Sequence, residues 1–270
     1  MSVVMCKTCG LVATFPNLSR LEIEEFYLSS FAGDPGAPKL SSASIDQATV
    51  ATARLELDTH TIPIIEEWVN PKGKDWLEIR FRTGAFLQYL KDKGANPFGA
   101  DLFDTNLQQA AKIITPNRLF KTSVHNLIEE FDTKLDVISG VSVHVLSHLP
   151  NPSRAFSTIR ELLKDDGLII FEEKDITKIS FSAQTLPLSH PNPIAHYHHF
   201  TLKTCQTLIA QSGFQIVFAE YIERVSDLRH FLIIAKKSDK IKKIEPVSCA
   251  EIDTEFSKIV SLHETSASSL

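Results

Sequence analysis

Long apolar runs are what this sequence most plainly lacks. No stretch of its 270 residues approaches the roughly 20 consecutive apolar residues that a membrane-spanning helix needs. The first segment, MSVVMCKTCG, has no extended apolar core and no small-residue cleavage site, so no secretory leader is expected. Cysteine is scarce, with four in the whole chain, which is no disulfide framework for a chain of this length and makes a reducing cytoplasm the default setting. Neither sign of charge dominates: 28 Lys and Arg against 33 Asp and Glu leave a net charge of −5, with no global attraction to nucleic acid. No internal repeat is found. What remains is an ordinary globular composition, 43% hydrophobic and 23% charged, long enough for one large domain with a sizeable core.

The chain is organised around WLEIRFRTGAFLQYLKDKGANPFGAD, Trp76 to Asp101. An apolar run enters a turn, a helix follows and stops at Gly94, and a second run ends in Asp101. That is a βαβ unit whose first turn faces a nucleotide-like ligand. Glycine is missing where such a turn usually has it: Arg80 and Arg82 stand there, and only Gly84 remains.

Ahead of this unit, Cys6 and Cys9 form a CxxCG knuckle that offers half of a tetrahedral zinc site. No second pair is near, so a bound metal is not expected unless a partner supplies the missing ligands, and the knuckle reads as a relic turn. Residues 18–31 have the pattern of a short amphipathic helix, and 32–43, rich in Gly, Pro and Ser, that of a linker. A helical stretch from 44 to 70 is expected to split, one helix ending near Thr59 and a second starting with Pro63 in its first turn, because proline lacks an N–H and clashes with the preceding turn.

From Trp76 strands and helices alternate: strands at 76–79, 97–101, about 119–124, 135–140 and 168–173, with helices at 85–93, 105–112 and after Asn151-Pro152, an N-cap followed by proline. An irregular segment, 174–200, concentrates His190, His196, His198 and His199. A helix capped by Thr201 leads to two runs, 214–221 and 229–237, that read as a closing hairpin. The expected organisation is a ribbon-like piece with helix and linker over 1–43, a Rossmann-like domain over 44–237 and a polar tail over 238–270, with one short helix near 250–262.

Seven strands in this order, the last two antiparallel, match the class I S-adenosylmethionine-dependent methyltransferases, and five segments resemble that family's motifs. LEIRFRTGAFLQYLKDKGANPFGAD resembles LEIGCGTG-x-FL followed by GxDxS. DVISGVSVHVLSHLPNPSRAF resembles FDVI…HVLEHVPDP, and LLKDDGLIIFEE resembles LLKPGGxLxxEVP. HYHHFTLKTCQTLIAQSGFQIV is similar to HxxHFT…L…L…GF, and CKTCGLVATFPNLSRLEIEEFY to the entry region of members with a zinc ribbon in front, some of which are sugar C-methyltransferases. The resemblance spans about residues 5–236.

It implies a doubly wound α/β sheet of seven strands and S-adenosylmethionine as cofactor, with zinc not implied by this truncated ribbon. Glu78 matches the acid of the first motif, Gly84 its last glycine and Asp101 the acid that accepts from the ribose hydroxyls, with Arg80, Arg82 and Thr83 completing the cofactor loop. An ionised carboxylate suits a vicinal diol. Arg80 and Arg82 leave two outcomes open. Either their fork meets the cofactor's carboxylate or another anion, or they point to solvent from a loop that has lost its function. His144 and His148, four residues apart, are the candidate catalytic bases, expected to share one face of a helical turn. Ser147 replaces the family's glutamate between them. The histidines of 190–199 are a weaker metal-site candidate, and 174–200 the candidate cover over the acceptor.

The expected activity is methyl transfer to a small-molecule acceptor, of sugar type by the entry segment. A non-catalytic binding module of the same fold is the alternative. A nicotinamide dehydrogenase would show GxGxxG, which is absent. Neither the acceptor nor the oligomeric state is legible.

Overall fold

In the computed structural model the described residues are 2–16, 47–142, 144–179, 196–223 and 228–239, with isolated positions at 19, 22, 248, 250, 251 and 254. The expected helix at 18–31, the linker, His190 and most of the tail lie outside them. Strands β1 (Ser2–Met5) and β2 (Val12–Phe15) form a hairpin with the CxxCG knuckle at its turn. Helix α1 (Gln47–Glu56) runs through a π-turn, Leu57–Thr61, into α2 (Ile62–Trp68). The expected split is present, with Pro63 in the first turn of α2, although a π-turn joins the two helices. In a first turn the missing N–H of proline has no intrahelical partner to lose, so Pro63 is tolerated there.

The alternating part follows as β3 (Asp75–Ile79), α3 (Ala85–Asp92), β4 (Asn96–Asp101), α4 (Asp104–Ala110), β5 (Leu119–Lys121), β6 (Leu135–Gly140), α5 (Pro152–Leu162) and β7 (Leu163–Ile179). It closes with β8 (His198–His199), α6 (Leu202–Gln211), β9 (Phe214–Ile222) and β10 (Leu228–Lys237). One sheet has the order β5-β4-β3-β6-β7-β10-β9, in which β10 is antiparallel to both neighbours. This is the expected doubly wound sheet with its terminal hairpin. Two start signals hold as read: Asn151 caps α5 by accepting from Arg154 N at 3.0 Å, and Thr201 forms a capping box with Thr204.

Each sheet face has its own core. Leu77, Ile79, Ile138, Phe156, Ile169, Phe171 and Phe231 pack on the α5–α6 side, while Trp76, Val137, Ile170, Leu232 and Ile234 pack under α1–α3 with Ile65, Phe86 and Tyr89. Alternation along β3 and β7 puts successive residues on opposite faces, which is why these strands read as continuous apolar runs. Near the ends of β3 and β4 and midway along β7 the runs turn polar. Glu78, Asp101, Glu172 and Glu173 are all buried there, so the interior changes character at the carboxyl edge of the sheet.

A small second sheet was not anticipated. β2 pairs with β8, Val12 opposite His199 and Ala13 opposite His198, and Tyr197 N donates to Ser147 O at 2.8 Å. The entry hairpin is thus stitched to the segment after β6 through the histidine-rich stretch.

Candidate active site

The loop after β3 takes a conformation that L residues rarely adopt. Arg80 (φ 55°) and Arg82 (φ 47°) are both left-handed, as is Gly84 (φ 75°). The turn keeps the shape that glycines would give it, at a cost of ~1–2 kcal/mol for each arginine. A Cβ on Gly84 would lie 2.6 Å from Ile113 Cδ1, so that side chain would have to shift in addition to the left-handed strain. The loop is held by Arg80 N donating to Ala100 O at 2.7 Å and Gly84 N to Phe81 O at 2.9 Å, while Thr83 Oγ1 accepts from Ala85 N at 3.3 Å. Neither arginine side chain has a hydrogen-bonded partner among the described residues. Arg82 keeps an exposed surface, yet partial desolvation and then the like charge of Arg80 lower its pKa.

Asp101 ends β4 beside this loop and is 2% exposed. Its Oδ1 accepts from Phe103 N at 3.1 Å, and its Oδ2 from Asn106 Nδ2 at 3.0 Å and, weakly, from Arg82 N at 3.5 Å. A carboxylate offers about four acceptor positions, so capacity remains on Oδ1. Next to it opens a cavity of about 120 Å³ bordered by Ile79, Arg80, Asp101, Leu102, Val124 and His148 among others. Its walls are mostly apolar, with Asp101 at one end.

Glu78 does not face that cavity. It is fully buried and accepts from Val141 N (3.0 Å), Ser142 N (2.9 Å), Ser142 Oγ (2.7 Å) and Ser139 Oγ, and Ser139 Oγ in turn accepts from Trp76 Nε1 at 2.7 Å. These bonds brace the loop after β6 against β3. Burial raises the Glu78 pKa to about 7 against these donors.

His144 and His148 do not lie on one helical turn. Only Leu146–His148 forms a helical turn, a 3-10 one, and the two rings have different ring neighbours. His144 stands edge-on to His230 with ring centroids 5.0 Å apart, whereas His148 lies 4.6 Å from His196. Burial first, then Lys174 and the neighbouring histidines, hold the His144 imidazole neutral, well below the usual range. The turn is pinned by Glu173, which accepts from Ser147 N at 2.9 Å and Ser147 Oγ at 3.3 Å. Ser147, at the position of the family's glutamate, is thus a donor to a carboxylate supplied by β7. Sequence reasoning missed Glu172, Glu173, Lys174 and His230. The available signal was a pair of acids at the end of LIIFEE, where an otherwise apolar buried strand turns charged.

Burial also raises Glu173 to about 7. A carboxyl whose folded value exceeds its unfolded value of 4.5 favours folding in its protonated form, and that advantage is lost as pH rises from 4.5 through about 7. The lowered His144 and His198 act in the opposite sense, gaining stability as pH rises to their unfolded 6.5. The test is therefore differential. Glu173→Gln should gain on the unaltered chain as pH goes from 5 to 8, by up to about 3 kcal/mol at ~1.4 kcal/mol per pKa unit. Urea melts at each pH measure this, and a pH-independent difference would exclude the shift.

At the knuckle, Gly10 N donates to Cys6 O and Cys6 N to Leu11 O, both at 2.9 Å, and amide donors from Thr8 and Cys9 lower the Cys6 thiol's pKa. Among the described residues no three His, Cys, Asp or Glu side chains converge on a metal-sized site, and no helix is long and apolar enough to cross a membrane.

A model of the methyltransferase domain matches residues 54–219, well over half of the chain. The chain belongs to the methyltransferase-domain family. The chain is 30% identical over 112 residues to a ubiquinone biosynthesis O-methyltransferase of Pasteurella multocida, a match covering 37% of this chain and 46% of that protein. The chain therefore spans less than half the length of that curated relative. Among solved structures, the 1,6-didemethyltoxoflavin-N1-methyltransferase of Burkholderia thailandensis superposes with a TM-score of 0.56 at 15% identity, over 87% of this chain and 98% of that one. The magnesium protoporphyrin IX methyltransferase of Synechocystis PCC 6803 gives 0.53 at 14%, over 83% and 100%. At such identities these likenesses establish the fold, which extends beyond the matched domain.

Proposed function

We propose that this methyltransferase domain transfers a methyl group from S-adenosylmethionine to a small-molecule acceptor. The observation that carries the reading is the left-handed loop of Arg80, Arg82 and Gly84 set against the Asp101 carboxylate at the carboxyl edge of β3 and β4. The two solved relatives were crystallised with S-adenosylhomocysteine and with S-adenosylmethionine respectively. The residues fit such a group. Asp101 has acceptor capacity for a ribose hydroxyl, the slot of Leu102 and Val124 offers apolar walls to a flat base, and the loop from Arg80 to Gly84 presents backbone to the methionine end. When bound, S-adenosylmethionine supplies an electrophilic methyl whose bond to sulfur breaks with its electron pair going to sulfur. The chain's task is then to hold the acceptor in line and exclude water, in which positioning does most of the work.

A sugar-type acceptor is supported only by the resemblance of the entry hairpin. The non-catalytic alternative gains nothing from a loop that keeps, at a cost in strain, the conformation of a cofactor cradle. Calorimetry and thermal melting with S-adenosylhomocysteine test the proposal: at a hundred times Kd the ligand should stabilise the fold by about 2.7 kcal/mol. No heat and no shift at millimolar ligand would end it.

A further inference from the structure

The cavity beside Asp101 has one wall that the alternating strands and loops of the main sheet do not supply. Its other described lining residues come from the ends of β3 and β4 and from the loops after β5 and β6, the ordinary place for a ligand in a doubly wound sheet. Tyr197 alone among them comes from beyond β7. It is buried, and its backbone is held from two sides. Tyr197 N donates to Ser147 O at 2.8 Å, and Tyr197 O accepts from Thr14 N at 3.1 Å, which carries the β2–β8 register one pair further. Thr14, in the entry hairpin, also grips the segment with its side chain. Its Oγ1 donates to His196 O at 2.9 Å and lies 3.2 Å from His199 Nε2, which acts as donor because the hydroxyl hydrogen is already committed. The His196 ring in turn lies 4.6 Å from that of His148, another lining residue. Thr14 is itself buried, so these bonds are shielded from water. Without the hairpin, the carbonyls of His196 and Tyr197 would lose these donors, and a buried carbonyl left without one is costly. A two-stranded hairpin is marginal by itself, and this one is anchored by Leu11 on the main core and by Val12 and Met5 against Ile176 of β7. Hairpin and segment therefore depend on each other.

We propose that Tyr197 contacts the cofactor as a wall of its pocket, and that Thr14 is the positioning residue that sets it there, so that the entry hairpin is part of the cofactor site. The proposal rests on the methyl-transfer reading above, in taking the cavity beside Asp101 for the cofactor's. An aromatic ring gives a ligand a broad apolar face at little cost in side-chain freedom, since two torsions fix it. The ring is only as well placed as its backbone, and that backbone is bonded to the loop after β6 on one side and to the hairpin on the other. The coupling runs both ways. Contacts that hold Tyr197 in place favour the ligand, and a ligand seated against Tyr197 favours the docked hairpin by the same factor. A short hairpin on a small apolar anchor opens locally at a cost well below global unfolding, so the coupling is readable in the exchange of its amide hydrogens.

The experiment is amide hydrogen exchange on the full chain with and without saturating S-adenosylhomocysteine, beside calorimetric titration of variants with the same ligand. In the unaltered chain the ligand should slow exchange at Thr14 N and Tyr197 N by about tenfold or more. Tyr197→Ala should weaken binding about tenfold, and Tyr197→Phe should recover most of that loss, because the ring and not the hydroxyl forms the wall. Thr14→Val keeps the shape of the side chain and removes its hydroxyl. It should weaken binding about fivefold and abolish the ligand-dependent slowing at Tyr197 N, with Thr14→Ser restoring both. A Thr14 with a structural role alone would lower the urea midpoint and leave the affinity of the folded protein where it was. The proposal is overturned by that result, by Tyr197→Ala binding within about twofold of the unaltered chain, or by hairpin amides that exchange unchanged while those of Arg80 and Gly84 are slowed. Exchange on the unaltered chain decides the matter should a variant fail to fold. If the unaltered chain does not bind S-adenosylhomocysteine at all, the methyl-transfer reading falls and takes this proposal with it, whereas binding with unmoved hairpin amides removes this proposal alone.

Discussion

Replacing Asp101 by Asn should weaken S-adenosylhomocysteine binding by about 100-fold while leaving the unliganded fold nearly as stable. Hydrogen bonds to a charged group contribute ~1.5–3 kcal/mol each, and a loss of ~2.7 kcal/mol is a factor of one hundred. An amide has one acceptor oxygen where the carboxylate has two. In the unliganded protein that single oxygen must already serve Phe103 N or Arg82 N, while Asn106 can rotate its amide to accept from the new NH2. Little is left for a hydroxyl of the ligand. Asp101→Ala is the less informative change, because it also strands the Asn106 and Phe103 donors and loosens the Arg82 turn. Titration calorimetry on Asp101→Asn beside a urea melt separates the two effects. An affinity within threefold of the unaltered chain would mean that Asp101 holds the loop and not the ligand.

How far this site could be read from the sequence depended on how local each signal was. β3, β4 and β6 were legible because buried parallel strands are short apolar runs bounded by turns, and α5 because Asn151-Pro152 is a start signal complete within two residues. The left-handed turn was legible as a problem, two arginines where glycine belongs, since φ is a property of the single residue. Glu78 was only half legible: the motif marks it, but its donors come from β6, some sixty residues away, and only packing reveals that it braces a loop. The helical turn expected to carry both His144 and His148 was not legible for the same reason. Their four-residue spacing implies a shared face only on a helix, and here β8 and Glu173 draw the segment into a 3-10 turn instead. Glu172 and His230 were invisible as a pair because the antiparallel register of β10 against β7, not any sequence spacing, brings them together.

The arginines themselves yield the second large effect, and it splits into two readouts of opposite sign. Changing Arg80 and Arg82 together to Gly removes two left-handed strains of ~1–2 kcal/mol each and adds backbone entropy to the unfolded chain, ~0.5–1 kcal/mol per glycine. The balance favours the variant by about 1–2 kcal/mol, read as a higher urea midpoint. Binding should move the other way. Arg82 is a partly desolvated cation near a second cation, its charge only partly offset by Glu56, so a further anion would be favoured there. The cofactor's carboxylate is such an anion, and a planar guanidinium can meet it with two parallel bonds. Loss of that contact should weaken S-adenosylmethionine about 10- to 100-fold, and analogues lacking the carboxylate should no longer distinguish the two proteins. A variant that is both more stable and tighter-binding would show the opposite, that the arginines obstruct the site. Strain relief cannot imitate the expected pattern, because the loop is left-handed before the ligand arrives and its cost is carried equally by the free and bound protein.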